Sequence, residues 1–179
     1  MILGMSLTTF TILHVIICFI GLVAGLVVVF GMFGSKRLNG WTAVFLIFTI
    51  LISVTGFMFP IHGFTPALAT GVVSSIILAA AVLGLYVFRL NGAWRWIYVA
   101  GAVAALYLNV FVLIVQSFQK VAVLRDLAPT QTETPFLVTQ IAALVLFLAF
   151  AMLALIKFHP ERTRLAWSGN ADAPWPARK

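Results

Sequence analysis

The chain has 179 residues, 63% of them hydrophobic and only 8% charged, with a formal net charge of +7. A soluble domain carries about 25% charged residues, so a water-facing globular surface is excluded and lipid is the expected solvent. The excess of positive charge could suit nucleic acid, but its distribution follows membrane topology, and no nucleic-acid partner is expected.

Five apolar runs have roughly the 20 residues that cross a bilayer: 9–33, 41–60, 66–88, 94–118 and 136–156. Arg95, at the start of the fourth, is the one charged residue in them. Lipid offers the backbone no hydrogen-bond partners, so such spans must be helical. The expected fold is all-α, a polytopic membrane bundle of five transmembrane helices over residues 1–157. A polar tail, 158–179, contains Pro160, Pro174 and Pro176 and is expected to be mobile.

In the first span Thr11, His14, Cys18, Gly21 and Gly25 recur at spacings of three and four and share one face. Gly21-x-x-x-Gly25 permits close helix approach. The run reads as a retained helix, since it lacks a basic flank, a short core and a small-residue cleavage site. Cys18 is the only cysteine, which excludes internal disulfides. The second span carries Thr42, Thr49, Ser53 and Gly56 on one face, with Thr55 beside it. Hydroxyls of this kind usually bond back to their own helix.

That span ends in FPIHGFTP, residues 59–66. Pro60 stops the helix, Gly63 permits a turn, and Thr65–Pro66 reads as an N-cap with proline at the first helical position. Turn chemistry leaves His62 unexplained. The third span offers Thr70, Gly71, Ser74 and Ser75 as small packing residues. In the fourth, Tyr98, Ala102, Ala105, Asn109, Val112 and Gln116 share a face that Lys120 extends. Asn109 lies about 15 Å inside the helix end, at 1.5 Å per residue, and an amide that deep needs a partner. Val121, Leu124 and Leu127 then recur at helical spacing and are expected to prolong the fourth helix to Pro129. Thr130 and Glu133 have capping-box spacing, while Thr134–Pro135 reads as the cap of the fifth helix. Gln140 follows about one turn in.

The basic residues sort by loop. Lys36, Arg37, Arg89, Arg95, Lys157, Arg162, Arg164, Arg178 and Lys179 fall on one side, and only Lys120 and Arg125 on the other. The positive-inside rule then puts the N-terminus outside and the C-terminus in the cytoplasm. Trp41, Trp94, Trp96 and Tyr98 fall near the cytoplasmic face, as an aromatic belt does.

This threading brings His14, His62, Gln116, Gln119 and Gln140 to the outer side, with Asn109 deeper. His14, His62, Asn109, Gln116 and Gln140 are therefore the candidate ligand-binding cluster, with Phe57, Phe59, Phe64, Tyr107, Phe111 and Phe118 as possible lining. The plainer alternative is a hydrogen-bond network that joins helices and binds nothing. No catalytic residue is assigned. No span contains a carboxylate, and neither a hydrolase triad nor a metal-binding helix motif is visible. His14 and His62 would be ligands only if haem or a metal is bound.

The stretches LYLNVFVLIVQSFQK and APTQTETPF resemble a family of small, uncharacterised bacterial integral membrane proteins, over the helical core and not the tail. The resemblance implies a multi-pass protein of a bacterial inner membrane and no particular activity. The leading expectation is non-enzymatic: a subunit of a larger membrane complex or a binder of a lipophilic ligand. Its partners are the bilayer and other membrane subunits, and no cofactor is expected. The alternative is a redox protein that binds haem b or quinone through His14 and His62. A transporter or channel fits less well, because buried charges are missing.

Overall fold

The structure, a computed structural model, describes residues 2–59 and 66–159. Among them the fold is all-helical: α1 (Leu7–Phe33), α2 (Asn39–Phe57), α3 (Pro66–Val82), α4 (Ala93–Lys120), α5 (Ala122–Leu127) and α6 (Thr134–Lys157). Five helices are long and apolar enough to cross a membrane, with mean hydropathy between 2.0 and 3.0. By length and composition, the chain is a multi-pass membrane protein. Large apolar side chains such as Ile76, Val145, Met152 and Ile156 point outward, the arrangement that lipid favours.

The helix ends follow from local chemistry. Ser6 caps α1, its hydroxyl accepting from the Thr9 N–H at 3.1 Å. Pro66 opens α3, in accord with the proline-first signature. α3 finishes in a π turn, Leu83–Val87, that the sequence reading missed. At Gly84 a side chain would stand 3.1 Å from the Trp94 carbonyl. The glycine thus lets the wider turn touch the start of α4, where Phe88 and Trp94 stack at 3.8 Å.

Two local expectations are corrected. α4 does not run on to Pro129. Val121 is extended (φ −87°, ψ 116°), and α5 is a separate short helix beyond it. The cap of α6 is Glu133, not Thr134, which lies inside the helix. The Glu133 carboxylate serves the preceding turn instead, accepting from the Thr130 N–H and hydroxyl and from the Thr132 N–H.

α4 is the hub. It packs against α1, α3 and α6, and it is the most buried span, while α6 is the least. The helices fit most tightly in the half of the bundle near the α1–α2 turn. Ala24, Val28, Val29 and Met32 of α1 meet Phe45 and Leu46 of α2, Leu78 and Ala81 of α3, and Val99 to Leu106 of α4. Gly25 makes this possible: a side chain there would stand 2.6 Å from Leu106 Cδ1 and 2.8 Å from the Phe45 ring. Tyr98 belongs to this core and not to an aromatic belt, for it is buried against Phe158. Phe158, read as the first tail residue, is itself buried. The Arg95 guanidinium donates to its carbonyl, and the next residue, His159, donates its N–H to Ser35 Oγ at 2.9 Å.

Candidate functional site

The opposite half of the bundle is less completely filled. A cavity of about 400 Å³ opens between α1, α2, α3 and α4, toward the end that carries α5. From α1 it is lined by Thr11, His14 and Cys18; from α2 by Ser53, Gly56, Phe57 and the following Phe59; from α3 by Thr70, Gly71 and Ser74. α4 contributes Asn109, Val112, Gln116 and Lys120. The polar faces read from three-and-four spacing in α1 and α4 therefore meet across one cleft.

Backbone approach shapes the walls. A side chain at Gly71 would stand 3.0 Å from the Phe57 ring, and one at Gly56 would stand 3.9 Å from His14 Cε1. Glycine at these positions leaves room for an aromatic ring on one side and an imidazole on the other.

His14 is held on two sides. Its Nδ1 lies 2.6 Å from Thr55 Oγ1, and its Nε2 lies 3.5 Å from Cys18 Sγ. Phe59 meets the ring edge-on at 5.3 Å. The hydroxyl of Thr55 has one hydrogen, and it donates to the Leu51 carbonyl at 2.6 Å. Thr55 must then accept from His14, which assigns the proton to Nδ1. Nε2 is then the acceptor of the Cys18 thiol, at 3.5 Å. Thr11 and Ser53 also bond back to carbonyls of their own helices, at Leu7 and Thr49, as expected for hydroxyls in apolar helices.

The amides behave differently. Asn109 Nδ2 and Gln116 Oε1 are buried and have no hydrogen-bond partner. One is a donor, the other an acceptor, and both residues line the cleft. Among the described residues, Lys120 is the only charged side chain in its wall.

The cleft unites His14, Asn109 and Gln116 from the sequence-derived cluster. Gln140 is not part of it. That side chain is buried on the α4–α6 seam, where Nε2 donates to the Phe111 carbonyl at 3.4 Å. Its depth was legible, but the helix it faces was not, because depth says nothing about which neighbour lies alongside. Tyr107 and Phe111 likewise contact each other, and Tyr107 also meets Phe147 of α6; Phe118 meets Phe136 edge to face. Of the described aromatics proposed as lining, Phe57 and Phe59 are in the wall and Tyr107, Phe111 and Phe118 are not. His62 and Phe64 lie outside the described residues. Cys18 and Lys120, not assigned to the site from sequence, join it; their positions on the His14 and Asn109 faces were the available signal. Among the described residues, no group of three or more His, Cys, Asp or Glu could hold a metal ion.

Compared with known protein families, curated proteins and solved structures, the chain matches none.

Proposed function

We propose that the protein binds a lipophilic ligand with an oxygen-bearing head inside the membrane, and works by association rather than catalysis. One observation carries this reading: Asn109 Nδ2 and Gln116 Oε1 are buried without partners on the same cleft. Each such atom costs about 1–3 kcal/mol while unsatisfied. A ligand that supplies both an acceptor and a donor removes that cost, and the aliphatic remainder of the wall, including Leu22, Ile52 and Leu108, accepts its apolar part. The two amides on the cleft are then a recognition pair, whereas Gln140, whose Oε1 is also buried without a partner, lies off the cleft and joins α6 to α4 through its Nε2.

The distribution of basic residues supports an orientation with the α5 end outside the cell, and the resemblance of 106–120 and 128–136 supports a bacterial inner membrane. Reporter fusions test the threading: one after Lys179 is active only in the cytoplasm, one at Thr130 only outside. Both on one side refute it.

Binding is tested by native mass spectrometry on gently extracted protein. The wild type retains an added small-molecule mass, and the Asn109→Leu/Gln116→Leu double variant loses it. A wild type with no retained mass refutes the reading.

A second reading, a redox protein that binds haem b or quinone, is favoured by the state of His14. Its Nδ1–H is pinned by Thr55, as in a ligating histidine with a fixed outer partner, and its Nε2, held by the Cys18 thiol, belongs to a side chain of the cleft wall. The absorbance spectrum separates the two. A Soret band that vanishes in His14→Ala establishes haem, whereas a colourless preparation made with haem available removes it. A quinone is identified by the mass of the retained molecule.

A further inference from the structure

The cleft ends where the core begins. Among the described residues its deepest walls are Leu22, Ile52, Ser74 and Leu108. The next layer is closed: a side chain at Gly25 would stand 2.6 Å from Leu106 and 2.8 Å from the Phe45 ring. Asn109 therefore lies at the floor, and a molecule bonded to it has no deeper space. Its apolar part leaves by the mouth or by a side. The α1–α2 side is joined by His14 and Thr55 at 2.6 Å. On the α2–α3 side the partly exposed Phe57 ring is seated against Gly71, and on the α3–α4 side Ser74 is buried. The α1–α4 side is open. Val15 and Phe19 of α1 and Leu113 of α4 line the cleft, yet they are 41%, 52% and 36% exposed. Val15 and Phe19 lie about 12 and 18 Å from the start of α1, and Leu113 about 10 Å from the end of α4. Inside a hydrocarbon layer about 30 Å thick, an opening at that depth meets lipid chains and not water.

We infer that the ligand is an uncharged lipid that enters from the bilayer between α1 and α4. Its head, a hydroxyl or carbonyl group, sits at the amides, and its chain trails out past Val15, Phe19 and Leu113. The side route keeps the chain in lipid, whereas the mouth beside the exposed Lys120 would lead it toward water. The same route selects the head: an ion drawn across an apolar rim gives up its hydration and finds no partner there. This assignment rests on the ligand-binding reading above and specifies the route and the class of ligand.

The test uses the full chain in nanodiscs of phosphatidylcholine and two photoactivatable probes, hexadecanol and hexadecyl phosphate, each with a diazirine beside its head. Label at the wall residues Asn109, Val112 and Cys18 is mapped by mass spectrometry and scaled to label at Val145 and Met152, which point outward on α6. Hexadecanol labels the wall, and at equal concentration hexadecyl phosphate labels it about tenfold less, the equivalent of about 1.4 kcal/mol. Val15→Trp and Leu113→Trp, two separate changes at exposed sites, slow the appearance of wall label after mixing by a similar factor. Ile12→Trp and Ile16→Trp, exposed on α1 but outside the wall, leave it unchanged. Thermal unfolding by circular dichroism checks the fold of each variant. Wall label that appears as fast in the rim variants as in the wild type overturns the side entrance. Equal wall label from the two probes overturns the uncharged head. No wall label from either probe overturns the whole assignment. Native mass spectrometry of the same wild-type protein then separates the two readings: a retained mass leaves ligand binding standing, and its absence removes that reading as well.

Discussion

Gly25→Ala tests the tightest glycine contact between helices among the described residues. The added Cβ would stand 2.6 Å from Leu106 Cδ1 and 2.8 and 2.9 Å from two atoms of the Phe45 ring. These are closer than packed carbons tolerate, and both neighbours are almost fully buried, at 0% and 1% exposure. Neither can turn aside without disturbing the core. Overpacking of this kind costs about 1–3 kcal/mol. The usual gain of up to about 1 kcal/mol on replacing a helical glycine largely vanishes here, because a span in an apolar medium is helical in either state. Gly21→Ala is the internal control. Its Cβ would meet Ile52 Cδ1 at 3.1 Å and Phe48 Cβ at 3.4 Å, and Ile52 is only half-buried, so that side chain can yield. Thermal unfolding in detergent, followed by circular dichroism, should show Gly25→Ala melting about 4 °C lower, at roughly 2–4 °C per kcal/mol for a chain of this size. Gly21→Ala should stay within about 1 °C of the wild type. A Gly21→Ala loss equal to or larger than that of Gly25→Ala would refute the packing argument.

Asn109→Leu should raise the stability of delipidated protein by about 1 kcal/mol, because it removes a buried donor with no partner, while it weakens retention of the bound amphiphile; unfolding and native mass spectrometry on the same samples check both. Thr55→Val removes the acceptor that fixes His14 and should cost about 0.6–1.7 kcal/mol, the span of measured interhelical hydrogen bonds. Nitrogen chemical shifts of His14 should report a protonated Nδ1 in the wild type and a mixture of tautomers in the variant. Glu133 supplies a pH prediction. Slight desolvation pushes its carboxyl up, but hydrogen bonds from its own backbone, from the Thr130 hydroxyl and amide, and from the Thr132 amide prevail and hold it below the usual carboxylate value. A lowered folded-state value means that the carboxylate stabilises this turn above the unfolded-state value. That contribution is lost as the pH falls through the lowered one. Hydrogen exchange at Thr130 and Thr132, corrected for intrinsic rates, should accelerate across that acid window, and Glu133→Gln should abolish the pH dependence.

The bundle was legible because its signals are long. Five charge-poor runs of about twenty residues have no other solution in lipid, and each became a helix within three residues of its expected bounds, apart from the π turn that closes α3. Faces were legible as well. Spacings of three and four placed His14 and Cys18 together on α1, and Asn109, Gln116 and Lys120 together on α4. Which faces would meet was not. Gln140 lies at the expected position on its helix but looks across the α4–α6 seam, a choice made by packing between whole helices. Val121 kept helical spacing in the sequence while its backbone turned extended, because apolar periodicity does not register a single-residue break. The proton on His14 Nδ1 depends on a third group, the Leu51 carbonyl, which engages the Thr55 hydroxyl; no pattern of residue types encodes such a chain.

The central claim is that the cleft between α1 and α4 holds an amphiphile bonded to Asn109 and Gln116. An experimental structure of the wild-type protein, purified without delipidation and determined in a lipid environment, tests this most directly. The account predicts continuous density for one bound molecule, with an acceptor atom within about 3.2 Å of Asn109 Nδ2 and a donor equally close to Gln116 Oε1. A cleft closed by repacked side chains, or one in which both amides pair with neighbouring helices and no molecule is bound, would contradict it.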